Sequence, residues 1–261
     1  MLLAIDVGNT QTVLGLLDGE DVVEHWRVAT ESHRTADELW ALLRSLLAGG
    51  GHDDGIKGVA ICSTVPSVLH EMRGMVARYF ADLPAVLVEP GVKTGLPVLV
   101  DNPREVGTDR IVNAIAAQHL YGAPAIVVDF GTATTFDVVS PQGEYLGGAI
   151  APGIGVSLDA LGDAGAQLRQ VELVRPRSVI AKNTVEALQS GALYGFSGQV
   201  DGIVIRMAAE LGLPLSEIPV VATGGLAELV ITECRCVDHH EPWLTLLGLR
   251  LVYDRNVPPL R

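Results

Sequence analysis

Three short stretches of this sequence put a carboxylate beside small, hydroxyl-bearing residues. The first is Asp6-Val7-Gly8-Asn9-Thr10, continuing through Gln11, Thr12 and Val13. Gly8 permits a tight turn and close approach of a ligand to the backbone. Asn9, Thr10 and Thr12 supply short donors suited to phosphate oxygens, and Asp6 can hold a divalent metal or its water. An ordinary hairpin with a capping Asp would use the same residues. The second stretch is Asp129-Phe130-Gly131-Thr132-Ala133-Thr134-Thr135. It is richer in hydroxyls and suits phosphate better than a structural role. Asp129 can balance the charge of a metal ion, or serve as the buried acceptor that pins the turn. The third is Gly107-Thr108-Asp109-Arg110. The helix dipole stabilises an Asp near a helix N-terminus as the anion, so a cap is one reading. In the other, Asp109 accepts a proton from a substrate hydroxyl while Arg110 binds an anionic group on that substrate. Position alone does not separate the two.

The first two stretches repeat one another. Leu2–Thr12 reads LLAIDVGNTQT and Ala125–Thr135 reads AIVVDFGTATT, nearly half the chain apart. Each continues as a strand pattern, Thr12–Leu17 into Asp18-Gly19 and Thr135–Val139 into Pro141-Gln142-Gly143, with Val22–Val28 and Tyr145–Ile150 as returning partners. Two copies with the same downstream hairpin predict a duplicated α/β domain with a cleft between the halves. The expected division is 1–115, with the first phosphate-binding turn, and 116–261, with the second.

Other elements position these turns. Thr35 with Glu38 forms a capping box before the apolar stripe Leu39, Leu42, Leu43, Leu46 and Leu47. Lys57–Ser63 reads as a buried strand in which Cys62 sits among apolar residues, Ser67–Phe80 as a helix, and Ala85–Val88 as a strand. Glu105–Leu120 reads as a helix. Asn183 with Glu186 makes a second possible capping box, opening a long helix toward Leu211. Gly191, Gly195, Gly198 and Gly202 lie inside it. Each glycine costs about 1 kcal/mol relative to Ala, so close packing is expected to offset the loss, against a helix of the same chain or of a second subunit. Pro219–Ala222 is a strand before Thr223-Gly224-Gly225, and Trp243–Tyr253 closes the chain as a helix. Gly147-Gly148 with Pro152-Gly153 reads as a close-approach loop. His239-His240-Glu241 lacks a third ligand at zinc spacing and reads as a solvated loop.

The 261 residues are 48% apolar and 19% charged, enough for a sizeable core, which excludes a mainly disordered chain. Eighteen basic against 31 acidic residues give a net charge of −13, which disfavours nucleic acid and anionic membrane as partners. Three cysteines exclude a disulfide framework, and neither a signal peptide nor a membrane span is evident, so a cytoplasmic protein is expected. No Gly-Lys-Ser/Thr phosphate loop, GxGxxG after a strand, GxSxG elbow or aromatic-basic array occurs.

Taken together, DVGNT at 6–10, GTDR at 107–110, DFGTATT at 129–135, GGAIAPG at 147–153, KNTVEALQSG at 182–191 and TGG at 223–225 resemble type III pantothenate kinase, in that family's order and over nearly the whole chain. The resemblance implies duplicated ribonuclease-H-like domains of the actin, acetate kinase and Hsp70 type. It implies ATP-dependent phosphorylation of pantothenate to 4′-phosphopantothenate, the first step toward coenzyme A. Asp109 would then be the proton acceptor, with Gly107, Thr108, Arg110 and Thr184 at pantothenate. Asp6 through Val13 and Thr132 would contact ATP, with Asp6 close to magnesium, and Asp129 would bind a monovalent cation, potassium or ammonium. Relatives of this kind are homodimers. Many carry Ala where this chain has Thr108, and some carry a Tyr near Leu99-Val100-Asp101. Two other readings stand beside this one: a kinase of the same fold for another small alcohol, and a non-catalytic regulatory relative.

Overall fold

Every residue of Leu2–Val7 (β1) except Asp6 is buried, the pattern of a central strand covered on both faces. The computed structural model describes residues 1–52, 55–164 and 171–258. β1 pairs antiparallel with Gln11–Asp18 (β2), which pairs with Asp21–Ala29 (β3). Ala36–Gly49 (α1) follows, its Thr35–Glu38 capping box formed in both directions. Gly58–Ser63 (β4) then returns parallel to β1, Pro66–Tyr79 (α2) covers the sheet, and Ala85–Leu87 (β5) completes the order β3-β2-β1-β4-β5. Leu3, Ile5, Leu43, Ile61, Met72 and Met75 anchor the core between this sheet and α1 and α2. Full burial of such a side chain is worth about 1.5–3 kcal/mol.

Thr108–Tyr121 (α3) leads to the repeat. Ala125–Phe130 (β6), Ala133–Val139 (β7) and Tyr145–Pro152 (β8) form the second antiparallel meander. Ile154–Ala164 (α4) and Thr184–Leu211 (α5) follow. Val220–Thr223 (β9) then pairs parallel with β6, Ala227–Ile231 (α6) packs near it, and His239–His240 (β10) lies parallel to β9. The second sheet therefore reads β8-β7-β6-β9-β10, the order of the first. The duplicated α/β fold is present in full.

Contacts divide the chain into two units: Met1–Leu96 with Asp101–Ala116 and the segment from Trp243 onward, and Pro97–Val100 with Ala117–Pro242. This differs from a simple cut at 115/116, because Pro97–Val100 falls in the second unit and the C-terminal segment in the first. Leu244–Asn256 (α7) belongs to the first unit, where it packs on β1, β4 and β5. Gly58 and Gly248 make room for it, since a Cβ there would meet Tyr253 and the Val112 carbonyl respectively.

Three local expectations are corrected. The helix expected from Glu105 begins at Thr108. Pro103–Glu105 is a separate 3-10 turn capped by Asn102, and extended Val106 with Gly107 intervenes. His239 and His240 form an edge strand rather than a solvated loop. His239 stacks on Tyr121 at 3.9 Å, and the Tyr121 hydroxyl donates to Glu241. The glycines of α5 meet no packed neighbour: nothing among the described residues stands within 4 Å of a Cβ built on Gly191, Gly195 or Gly198, and only the Arg206 guanidinium approaches Gly202.

Candidate active site

In the first unit the strand ends set the geometry. β1 and β4 run parallel with Asp6 opposite Cys62 and Val7 opposite Ser63. Beyond β1 the chain turns at once, the Gly8 amide donating to the Gln11 carbonyl at 3.0 Å. Asn9, Thr10 and Gln11 are exposed on this turn, and Val13 pairs with Asp6 across the hairpin. Thr12 is buried, its hydroxyl 2.8 Å from that of Thr30. The Thr30 amide donates to the Thr10 carbonyl at 3.0 Å, tying the turn to the end of β3.

Two carboxylates meet here. Burial and the negative charge of Asp109 push the Asp6 pKa up to about 7, against which the Cys62 thiol works by donating to Oδ1 over 3.3 Å. Burial also raises Asp109, and the Arg110 backbone amide and guanidinium offset part of the rise. The N-terminal position of Asp109 on α3 thus does not hold it low, because desolvation outweighs the dipole. Its Oδ1 is buried and has no hydrogen-bond partner among the described residues. Gly107 is what leaves room for that oxygen, since a Cβ at 107 would run into it. Thr108 anchors the helix start, its hydroxyl donating to the Ser63 carbonyl at 3.3 Å. Cys62, which in sequence is one residue of an apolar run, is therefore part of the site. No spacing rule could have paired it with Asp6; only the parallel register does.

The second unit repeats the plan. Asp129 lies near the end of β6, opposite Thr135 on one side and Thr223 on the other. Its turn is one residue tighter, the Gly131 amide donating to the Ala133 carbonyl at 3.1 Å. Thr132 is exposed at the tip. Two glycines press against this turn. Gly153 donates to the Thr132 carbonyl at 3.1 Å, and a Cβ there would collide with the Thr132 and Gly131 carbonyl oxygens. Gly224, at φ 95°, would place a Cβ 2.5 Å from Asp129 Oδ1. Thr184 is the exposed first residue of α5. Beside it the Asn183 side chain caps the helix by accepting the Glu186 amide at 2.9 Å, and the Glu186 carboxylate is held by Arg177 and the Asn183 side-chain amide rather than by the cap backbone.

Oxygen ligands suit both candidate cations. Two carboxylates with raised pKa values and an orphan buried oxygen fit a hard divalent ion at Asp6. No group of three or more His, Cys, Asp or Glu side chains that could hold a metal ion exists among the described residues.

Two five-stranded sheets of identical order, each hairpin opening at a carboxylate, define the duplicated ribonuclease-H-like class shared by actin-like kinases and ATPases. Solved structures agree at the level of fold. A Baf family transcriptional activator from Campylobacter jejuni superposes with a TM-score of 0.61 at 16% identity, covering 99% of this chain and 100% of that one. A polyphosphate/ATP-glucomannokinase from Arthrobacter gives 0.53 at 12% identity, covering 98% and 99%. Sequence narrows the class. The family profile of type III pantothenate kinase matches residues 2–206. The type III pantothenate kinase of Streptomyces griseus is 67% identical over 98% of this chain and 99% of its own length, and that of Thermobifida fusca 63% over 98% and 100%. The chain belongs to the type III pantothenate kinase family.

Proposed function

We propose that this chain transfers the terminal phosphoryl group of ATP to the primary hydroxyl of pantothenate, giving 4′-phosphopantothenate, the first step of coenzyme A biosynthesis. The observation that carries this reading, within a chain of this family, is Asp109: a carboxylate whose buried Oδ1 has no hydrogen-bond partner among the described residues. Such an oxygen is ready to accept the proton of an incoming hydroxyl. Burial raises its pKa, which makes it a stronger base than an exposed Asp. Phosphoryl transfer asks mainly for positioning and charge stabilisation. In this reading Gly107, Thr108, Arg110 and Thr184 hold pantothenate, the Arg110 guanidinium taking its carboxylate. The turn from Asp6 through Val13 takes the ATP phosphates, and Thr132 contacts ATP from the second turn. Asp6 would hold magnesium and Asp129 a monovalent cation, potassium or ammonium, both of which neutralise phosphate charge when bound. The chain acts as a homodimer through the open glycine face of α5, and it works in the cytoplasm. No described helix is long and apolar enough to cross a membrane.

The test is direct. Purified protein given ATP, magnesium, potassium and pantothenate should yield 4′-phosphopantothenate by mass spectrometry. Asp109→Asn should lower turnover by ~10²–10⁴-fold, the usual contribution of a general base, with an unchanged circular-dichroism spectrum. Near-full activity in the folded variant would remove Asp109 from the mechanism. Absence of product with wild type, but phosphorylation of another alcohol from a panel, would move the substrate assignment.

A further inference from the structure

We infer that Cys62 is a positioning residue for nucleotide binding: its thiol, donating to Asp6 Oδ1, fixes which carboxylate oxygen Asp6 presents to magnesium and the ATP phosphates. The inference rests on the reading of Asp6 as part of the ATP site. Cys62 is 0% exposed in the middle sheet layer, between Ile61 and Ser63 at the end of β4. It is the parallel-strand neighbour of Asp6, and Sγ lies 3.3 Å from Oδ1. A thiol has a proton to give and a carboxylate oxygen has lone pairs to receive it, so sulfur is the donor and Asp6 the acceptor. A thiolate there would repel Asp6 instead.

The duplication supplies an independent argument. In the second unit the position opposite the turn carboxylate is Thr223, paired with Asp129 as Cys62 is paired with Asp6. Thr223 too is buried, and it ends a strand, Val220-Val221-Ala222-Thr223, that is otherwise apolar, as Val59-Ala60-Ile61 is before Cys62. Both halves thus place one short hydrogen-bonding side chain at the same register position beside the same carboxylate, where packing alone would be served by Val or Ala. A side chain with no fixed partner would let the Asp6 carboxylate rotate. With Oδ1 occupied, rotation is restricted and the other oxygen is left for a ligand.

Two pairs of substitutions separate positioning from packing. Cys62→Ser and Cys62→Ala are of similar size and differ in the donor. Cys62→Thr and Cys62→Val repeat the comparison at larger volume, should the smaller pair fold poorly. Affinity for magnesium with a non-hydrolysable ATP analogue is read by titration calorimetry, alongside melting temperature and the KM values for ATP and pantothenate. Loss of the donor should weaken nucleotide affinity by about 3–10-fold in Ala relative to Ser, and in Val relative to Thr, the range of a single hydrogen bond. KM for ATP should follow and KM for pantothenate should not move. Packing alone predicts the reverse order, because Ala and Val bury no polar atom at a dry site, and that order in both pairs overturns the inference. The binding arm does not depend on the acceptor. Wild type that binds the analogue but leaves pantothenate unmodified refutes the substrate assignment while the donor order still decides the role of Cys62. Wild type that binds no magnesium nucleotide overturns both.

Discussion

Asp6 and Asp109 share a desolvated corner, and the consequence for Asp6 is a proton held up to about pH 7. Its unfolded-state value is near 3.8, so between about pH 4 and 7 the folded chain binds a proton that the unfolded chain does not. Stability from this group is therefore present at low pH and falls as pH rises through 7. A divalent cation bound at Asp6 would replace that proton and relieve the charge. Magnesium should accordingly raise the melting temperature more at pH 8 than at pH 6, and Asp6→Asn should remove the difference while making the metal-free protein more stable at pH 8. Scanning calorimetry at the two pH values with and without magnesium checks both statements; an equal magnesium effect at both pH values in wild type would contradict them. The residue types of this corner were legible in the sequence: Asp6 and Asp109 stand out by their neighbours Gly8 and Gly107. Their raised pKa values were not, because burial sums over β1, β4 and α3, which lie far apart in the chain. Cys62 was hidden for the same reason.

At the scale of elements, the hairpins were readable because turn chemistry is local: Asp18-Gly19 and Gln142-Gly143 end their strands where Gly19 and Gly143 adopt φ of 63° and 78°. The start of α3 was not, since Asn102-Pro103 nucleates a turn of its own that a periodicity argument merges with the helix. Glycines show the same division. That Gly153 belonged to a close-approach loop could be read from its neighbours, but what it approaches could not. It lies against the carbonyls of Gly131 and Thr132, so the second turn keeps its shape only while position 153 lacks a Cβ. Gly153→Ala should therefore either shift the Thr132 turn and weaken nucleotide affinity at least 10-fold, or destabilise the fold by about 1–3 kcal/mol through overpacking. Gly155→Ala, two residues on in α4 with open space around its Cβ, is the control and should be neutral or stabilising by up to about 1 kcal/mol. Calorimetric titration and melting of the two variants compare them. Equal behaviour would mean that the turn does not depend on this contact.

For the molecule as a whole, a net charge of −13 sets the problem of self-association, since two copies repel unless the meeting surfaces are themselves uncharged. α5 offers such a surface. From Ala187 to Val200 it carries no charged residue, yet Gly191, Gly195 and Gly198 are exposed on one side while Ala192, Leu193 and Val200 are buried on the other. Among the described residues, the exposed large apolar side chains fall almost wholly in the second unit, Val23 being the exception. Four glycines in a helix interior sacrifice about 1 kcal/mol each, and no described residue packs against three of them. A second copy of α5, packed backbone to backbone about a twofold axis, would bring each glycine face against its own image. Gly198→Glu tests this without disturbing the subunit, because a Cβ at 198 meets no described residue within 4 Å and Glu improves helix propensity. Sedimentation should show wild type as a dimer and Gly198→Glu as a monomer whose melting, measured at matched concentration in the monomeric range, is no lower. A Gly198→Glu protein that remains dimeric would place the interface elsewhere and leave the glycines of α5 to be explained by the catalytic cycle.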